Sequence, residues 1–270
     1  MIDLEGIVRS AKNLAPLPGT ADRLTALLAT EERDLAGIAH AVCFDIALTG
    51  RLLRLANSAM VRGSGPVVTV GDAVTELGTA ALLAVVSEAS QETLDMRLKA
   101  CEEDKGTLWQ HAVAAALAVT TAGRHCGAMP PQETFVAALL HDVGFLALDR
   151  WLMKVPFGQE REDARASVQG LDHARLAGLV AESWRLSQPL QRALVHHHRP
   201  MEAPDERSRL IASFVQVADC VAKTIGADFA SEDTALDRAT TELLRLDRDG
   251  FDAMCYETRE LLGKVLKHYS

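Results

Sequence analysis

The sequence predicts an all-helical (all-α) fold built from two packed helical lobes. Apolar residues recur along nearly the whole chain at positions i, i+3 and i+4, which places them on one face of a helix. Alanine and leucine dominate the apolar set, and both are strong helix formers. A polar, charged stretch interrupts the pattern near the middle of the chain, and this interruption predicts the two lobes.

The first half contains four stretches with helical spacing. They cover Leu24–Leu28, Leu35–Val42, Thr49–Ala59 and Val74–Val86. The segment 62–69, RGSGPVVT, separates the third stretch from the fourth, because two glycines and a proline disfavour a continuing helix.

The charged stretch over 91–107 is where we place the lobe boundary. It divides the chain into an N-terminal helical lobe, 1–95, and a second lobe with C-terminal helices, 96–270. The segment 156–170 is either a polar loop or a short exposed helix. In the second lobe the spacing predicts helices over 107–125, 132–153, 172–185, 188–198, 206–226 and 250–268.

Composition and charge narrow the class of protein. The formal net charge of −9 argues against unspecific nucleic-acid binding, because phosphate backbones need a basic face. No stretch approaches 18 uninterrupted apolar residues, so we expect no membrane-spanning helix. The first 19 residues lack the apolar core of a secretory signal, and the five cysteines show no C-x-x-C spacing. We therefore expect a cytoplasmic protein with reduced thiols and no structural zinc–thiolate site.

Seven histidine and aspartate side chains lie within apolar helical stretches of the second lobe. Burying a lone imidazole or carboxylate is costly, so these side chains need partners. Imidazole and carboxylate together suit divalent iron, manganese, nickel or zinc, which the sequence does not distinguish. We predict that the set binds one or two such ions, and that the second member of the His–Asp pair could bridge two of them. The predicted ligands are His111, His141, Asp142, His173, His197, His198 and Asp219.

Each of these residues also has a purely structural interpretation. A single buried histidine is more often a hydrogen-bonded core residue than a ligand, and the run 196–198 could be a solvated helix end that favours positive charge. The occurrence of all seven in one lobe favours the metal hypothesis.

The order of these residues, H…HD…H…HH…D, resembles the ligand order of HD-GYP phosphodiesterases in the HD superfamily. The first half resembles the HDOD signature: LAPLPGTADRLTALLA, then LAGIAHAVCFDIALTGRLLRLANSA, then VTVGDAVTELGTAAL. The resemblance covers about 14–225, and its most specific elements are Asn57–Ala59 and His197–Pro200. The usual Asp–Pro pair is Asp45–Ile46 here. The resemblance implies a two-lobed helical signalling protein with an HD-like second lobe, in a family whose members have often lost their metal ligands.

Two departures from HD-GYP enzymes bear on activity. Those enzymes carry a lysine soon after the HD pair, where this chain has Phe145, and a Gly-Tyr-Pro element after the HH pair, where it has HHHRPMEAPDERS. A missing cation weakens phosphate binding by about 1.5–3 kcal/mol. Arginine could replace it from Arg124, Arg192 or Arg199. The resemblance therefore implies a site that holds metal but is poorly equipped to hydrolyse cyclic dinucleotides.

Two functions remain open at this stage. The first is a signalling module with a protein partner and a small anionic or nucleotide ligand, without nucleic-acid or membrane binding. The alternative is an active metal-dependent phosphohydrolase on a nucleotide-type substrate, with Asp142 as its catalytic residue.

Other singled-out residues have mainly structural interpretations. Asn57 is expected to close a turn or cap a helix. Three arginines could form an anion or partner surface, although a solvated helix face is the commoner outcome: Arg51, Arg54 and Arg62. Three tryptophans are expected in core or inter-lobe packing: Trp109, Trp151 and Trp184.

Overall fold

All regular elements of the described chain are helical. The structure is a computed structural model that describes residues 3–16, 18–29, 35–59, 65–96, 103–156, 158–168, 170–227 and 236–267. No strand occurs within these ranges, which confirms the predicted all-helical class.

The first part contains six described α-helices, and two of them meet at a glycine. They are α1 (Leu4–Ser10), α2 (Pro18–Ala29), α3 (Leu35–Cys43), α4 (Ile46–Ala59), α5 (Val70–Leu77) and α6 (Thr79–Met96). Gly78 adopts φ +78° between the last two, a conformation that disfavours other residues, so the helical spacing predicted over Val74–Val86 belongs to two helices.

The second part contains nine described helices. They are α7 (Glu103–His125), α8 (Thr134–Leu140), α9 (Val143–Leu152), α10 (Gln159–Ser167), α11 (His173–Ser183), α12 (Gln188–Val195), α13 (Glu206–Thr224), α14 (Arg238–Leu244) and α15 (Arg248–Leu266). Helix α14 was not predicted from the sequence. The sequence left a polar loop and a short exposed helix as alternatives for 156–170, and the structure has a short, largely exposed helix there, α10.

Helix α7 lies at the centre of the second part. It packs against α8, α13 and α15, and residues 112–119 are buried on every side. Alanine dominates this segment, and its small side chains let several helices approach one backbone. Helix α1 packs against α9 and α11, which belong to the predicted second lobe. The boundary between lobes stays a prediction, since residues 97–102 lie outside the described ranges.

Two tryptophans join the first helices to the second part. The Trp109 indole N–H donates to the Phe44 carbonyl at 2.7 Å. Trp184 is buried against Gly50, where a Cβ atom would lie only 2.3 Å from the ring. A side chain at position 50 would therefore push α4 away from α11.

Two predicted helices end earlier than expected, and both ends create part of the site described below. The predicted helix 132–153 breaks at His141–Asp142, where Asp142 adopts φ −100° and ψ 11° between α8 and α9. The predicted helix 188–198 ends at Val195, so the three consecutive histidines lie in a turn.

Within the described residues, no single helix is long and apolar enough to cross a membrane. Two pairs of neighbouring helices are long and apolar enough only when the two helices are taken together. Each pair is bent: Leu35–Cys43 with Ile46–Ser58 by 105°, and Val70–Leu77 with Thr79–Glu88 by 112°.

Candidate metal centre

The seven side chains predicted as ligands converge on one buried region. They come from α7, the α8–α9 break, the start of α11, the turn after α12, and α13. Six of the seven are buried, and the other, His198, is half-buried. The set is His111, His141, Asp142, His173, His197, His198 and Asp219.

The first group contains two histidines and two aspartates. His111 Nε2 lies 3.1 Å from His141 Nε2 and 3.1 Å from Asp219 Oδ1. Asp142 Oδ2 lies 3.6 Å from His111 Nε2 and 3.4 Å from His141 Nε2. These atoms are close enough to surround one ion.

The tautomers of the first group follow from its backbone contacts. His111 Nδ1 donates to the Ala227 carbonyl at 2.8 Å, and His141 Nδ1 donates to the Ala138 carbonyl at 2.7 Å. A carbonyl only accepts, so each Nδ1 carries the proton and each neutral ring has a lone pair on Nε2. Two such lone pairs 3.1 Å apart repel each other unless a proton or a cation lies between them.

The second group consists of three histidines. His173 Nε2 lies 2.9 Å from His198 Nε2, and the rings of His197 and His198 are 4.0 Å apart between centroids. His197 Nδ1 donates to the Leu194 carbonyl at 2.7 Å, while its buried Nε2 has no hydrogen-bond partner among the described residues. Its free lone pair therefore faces the interior of the site.

Asp142 lies between the two groups. Its Oδ2 atom faces the first group, and its Oδ1 atom lies 3.4 Å from His173 Nε2 in the second group. Although Asp142 occupies the position before α9, its carboxylate makes no capping hydrogen bond to that helix. The carboxylate is thus left to face both groups, as a bridging ligand does.

Burial and neighbouring charges set the protonation of the site. Burial lowers the pKa of His141, and burial together with His141 and His198 lowers the pKa of His197 well below its usual range. Burial alone would lower the pKa of His111. The neighbouring Asp219 and Asp142 carboxylates favour the charged imidazole more strongly, so the pKa of His111 is raised. Burial alone would raise the pKa of Asp219. Its contacts with His111, His141 and Lys223 favour the charged carboxylate more strongly, so the pKa of Asp219 lies well below the usual range. Two histidines are therefore neutral, as metal ligands must be.

The cluster fits a divalent metal. Among the described residues, His197 Nε2 is a buried acceptor without a hydrogen-bond donor, and Asp219 Oδ1 faces only the His111 and His141 imidazoles. A divalent ion would satisfy both atoms and separate the facing Nε2 atoms of the first group. Imidazole nitrogen and carboxylate oxygen are the donor set that transition metals accept. His111, His141 and His197 each donate Nδ1–H to a backbone carbonyl, an arrangement that orients metal-binding imidazoles.

Phe145 contacts the second group directly. Its ring stacks on His173 with the centroids 4.4 Å apart and the planes inclined by 14°. The position at which the resembling enzymes carry a lysine therefore forms an apolar wall that supports a candidate ligand.

Sequence reasoning missed Lys223. Its Nζ atom lies 3.0 Å from Asp219 Oδ2, one helical turn further along α13. The signal was present in the i, i+4 spacing of Asp219 and Lys223.

Several other predicted features lie outside the cluster. Asn57 exchanges hydrogen bonds with both backbone groups of Val67, at 3.0 and 2.9 Å, and so closes the loop after α4. Arg51 is buried and donates to the Leu14 carbonyl, so it is not part of a solvated face; Arg62 lies outside the described residues. Two of the arginines that could replace the missing lysine are paired with carboxylates: Arg192 with Asp205 at 2.8 Å, and Arg124 with Glu257.

Burial disfavours the thiolate form of the described cysteines. Burial raises the pKa of Cys43 and Cys126 to about 11 and that of Cys220 to about 12, and burial also raises the pKa of Cys255. These thiols are protonated at neutral pH. Cys101 lies outside the described residues.

Known proteins resemble this chain in sequence and fold. The model of the HDOD domain family matches residues 14–200. The MmoQ response regulator from Methylococcus capsulatus str. Bath is 25% identical, with a TM-score of 0.66 over 90% of this chain and 98% of that one. A virulence factor from Campylobacter jejuni subsp. jejuni has a TM-score of 0.65 at 16% identity, over 96% and 99% of the two chains, and shows the fold alone.

A curated relative, an uncharacterized protein of Treponema pallidum (strain Nichols), is 22% identical over 215 residues. The match covers 74% of this chain and 40% of the relative, so this chain spans well under half of that protein's length.

Proposed function

The chain belongs to the HDOD domain family, and we propose that it is a signalling or regulatory module whose HD-like part holds one or two divalent transition-metal ions. The observation that carries the proposal is the buried convergence of the seven histidine and aspartate side chains. Among the described residues, His197 Nε2 is left without a hydrogen-bond donor and Asp219 Oδ1 faces only imidazole nitrogens. A purely structural cluster would be expected to satisfy these atoms.

Each group would hold one ion. The first ion would be held by His111, His141, Asp142 and Asp219, and the second by His173, His197 and His198 with Asp142 shared. A pair of divalent ions in such a site can polarise a phosphoryl oxygen and supply hydroxide at neutral pH. The donor set admits iron, manganese, nickel or zinc.

Phe145 favours a regulatory role over hydrolysis. A phenyl ring offers no hydrogen bond to a phosphate, and electrostatic stabilisation carries much of the rate in phosphoryl transfer. Because this ring stacks on His173, it covers one face of that candidate ligand with apolar surface. The response-regulator name of the similar MmoQ protein supports a signalling role, in which the helical surface contacts a protein partner and the metal site responds to a small anionic or nucleotide ligand.

The alternative function is a metal-dependent phosphohydrolase that acts on a nucleotide-type substrate. The complete ligand set favours it, because a module without chemistry does not need every ligand. In that function Asp142 is the catalytic residue, since its carboxylate lies between the two groups.

A turnover panel separates the two functions. Protein loaded with manganese, iron, nickel or zinc is incubated with cyclic dinucleotides, generic phosphodiesters and nucleotides, alongside the Asp142→Ala variant. The proposal predicts turnover no greater than that of the variant, because a phenyl ring stands at the position where HD-GYP enzymes carry a lysine. Turnover that is robust in the native chain and lost in Asp142→Ala would make the hydrolase the correct function.

A further inference from the structure

The two carboxylate oxygens of Asp219 have different surroundings. Oδ1 faces the first group, 3.1 Å from His111 Nε2 and 3.9 Å from His141 Nε2. Oδ2 lies 3.0 Å from the Lys223 ammonium, which donates to it. One oxygen is therefore available to a cation while the other is already engaged by one.

Helix α13 fixes this pair in place. Asp219 and Lys223 are four residues apart on one face of a helix whose first turn is capped by Asp205. The Asp219 side chain is 2% exposed and that of Lys223 is 19% exposed, so water competes little for the contact. A charge-assisted hydrogen bond between an ammonium and a buried carboxylate is short and strong.

We propose that Lys223 is a positioning residue that makes Asp219 a monodentate metal ligand. The ammonium holds Oδ2, so that the carboxylate presents Oδ1 alone to the first group. This inference rests on the proposed metal binding. Carboxylates bind metals through one oxygen or through both, and an unheld carboxylate can rotate to use both. Lys223 thereby keeps a coordination position of the first ion open for water or an anionic ligand.

If Lys223 served only charge balance or helix stability, its replacement would have a different effect on the bound ion. Loss of the ammonium would then change stability or affinity without changing the number of oxygens that Asp219 gives to the ion. The coordination number of the bound ion is therefore the quantity that decides between the two roles.

Cobalt(II) alone is the probe, because its visible absorption per ion weakens as its coordination number rises. The full chain is compared with Lys223→Met, Lys223→Arg and the control Lys264→Met, which removes the same charge from an exposed position on α15. We expect a loss of visible absorption per bound ion in Lys223→Met, since Asp219 then binds through both oxygens. Lys223→Arg and Lys264→Met should match the native chain.

The outcomes are distinguishable. Equal spectra for the native chain and a folded Lys223→Met protein with the same cobalt content would overturn the role of Lys223 but not metal binding. A native chain that binds no cobalt would overturn the proposed function and this inference with it. If Lys223→Met does not fold, a crystal structure of the manganese-loaded native chain decides. We expect Oδ1 of Asp219 on the ion and Oδ2 on Lys223, whereas both oxygens on the ion would refute the role of Lys223.

Discussion

At the scale of single residues, the candidate centre depends on contacts that orient each ring. The His141 and His197 rings donate Nδ1–H to the carbonyl three residues earlier, at the ends of α8 and α12. Those carbonyls have no partner within their own helix, so one contact satisfies the helix end and fixes the tautomer of the ring. His173 is instead supported on its face by Phe145.

Replacement of Phe145 by alanine should weaken metal binding at the second group. Loss of the stacked ring frees His173 to rotate, and loss of contacts behind a ligand costs about 10–100-fold in metal affinity. Isothermal titration with zinc or manganese measures the change. Phe251→Ala, which removes the same ring from α15, serves as the control and should leave the affinity unaltered. Equal affinities for both variants would mean that the stack on His173 has no part in orienting it.

At the scale of helices, five of the seven candidate ligands lie at helix ends or in the turn after α12, while His111 and Asp219 lie within α7 and α13. Asp142 stands at the break between α8 and α9, and His173 is the first residue of α11, where Asp172 accepts from the N–H groups of Ala174 and Arg175. The Asp172 cap sets the start of α11 and thereby holds His173 in the first turn of that helix.

Asp205 gives a test of how a helix start contributes to stability. It accepts from the backbone and hydroxyl of Ser208 at the start of α13 and from Arg192 of α12, and these contacts lower its pKa from 3.8 to about 2. Asp205→Ala should reduce the free energy of unfolding at neutral pH by about 0.5–2 kcal/mol, the usual cost of a lost cap. Urea unfolding at a series of pH values measures it.

The pH dependence of that difference follows from the sign of the shift. A carboxylate with a lowered pKa stabilises the folded state above its unfolded pKa, and this contribution is lost as the pH falls from about 4 towards 2. The difference between native and Asp205→Ala proteins should therefore shrink over that range. Asp205→Asn, which keeps the cap without the charge, should be less destabilised than Asp205→Ala. A difference that stays constant down to pH 2 would contradict this account.

At the scale of the whole molecule, the sequence predicted the class of fold and which side chains meet. Helical spacing marks buried faces, and imidazoles or carboxylates within those faces must find partners, so the meeting of His111 with Asp219 was predictable. The break at His141–Asp142 was not, because apolar spacing continues across it and only packing shows that the chain turns there. The helix α14 was missed for a related reason, since seven residues carry little periodicity.

Other features arise only from tertiary packing. Nothing in the sequence links His111 to the carbonyl of Ala227, 116 residues away. The approach of Trp184 to Gly50 likewise depends on how α11 meets α4. Backbone acceptors and close contacts of this kind carry no residue-type pattern, so they become visible only in the folded chain.

The central claim is that the folded chain holds metal through these seven side chains, and metal content per chain tests it most directly. The native chain and the Asp142→Ala and His125→Ala variants are purified without chelators and analysed for transition metals. His125→Ala is the control, because His125 pairs with Glu257 outside the cluster. We predict one or two ions per chain in the native and His125→Ala proteins, and a clear loss in Asp142→Ala because both groups share that carboxylate. A native chain that stays free of metal even after incubation with manganese, iron, nickel and zinc would contradict the claim.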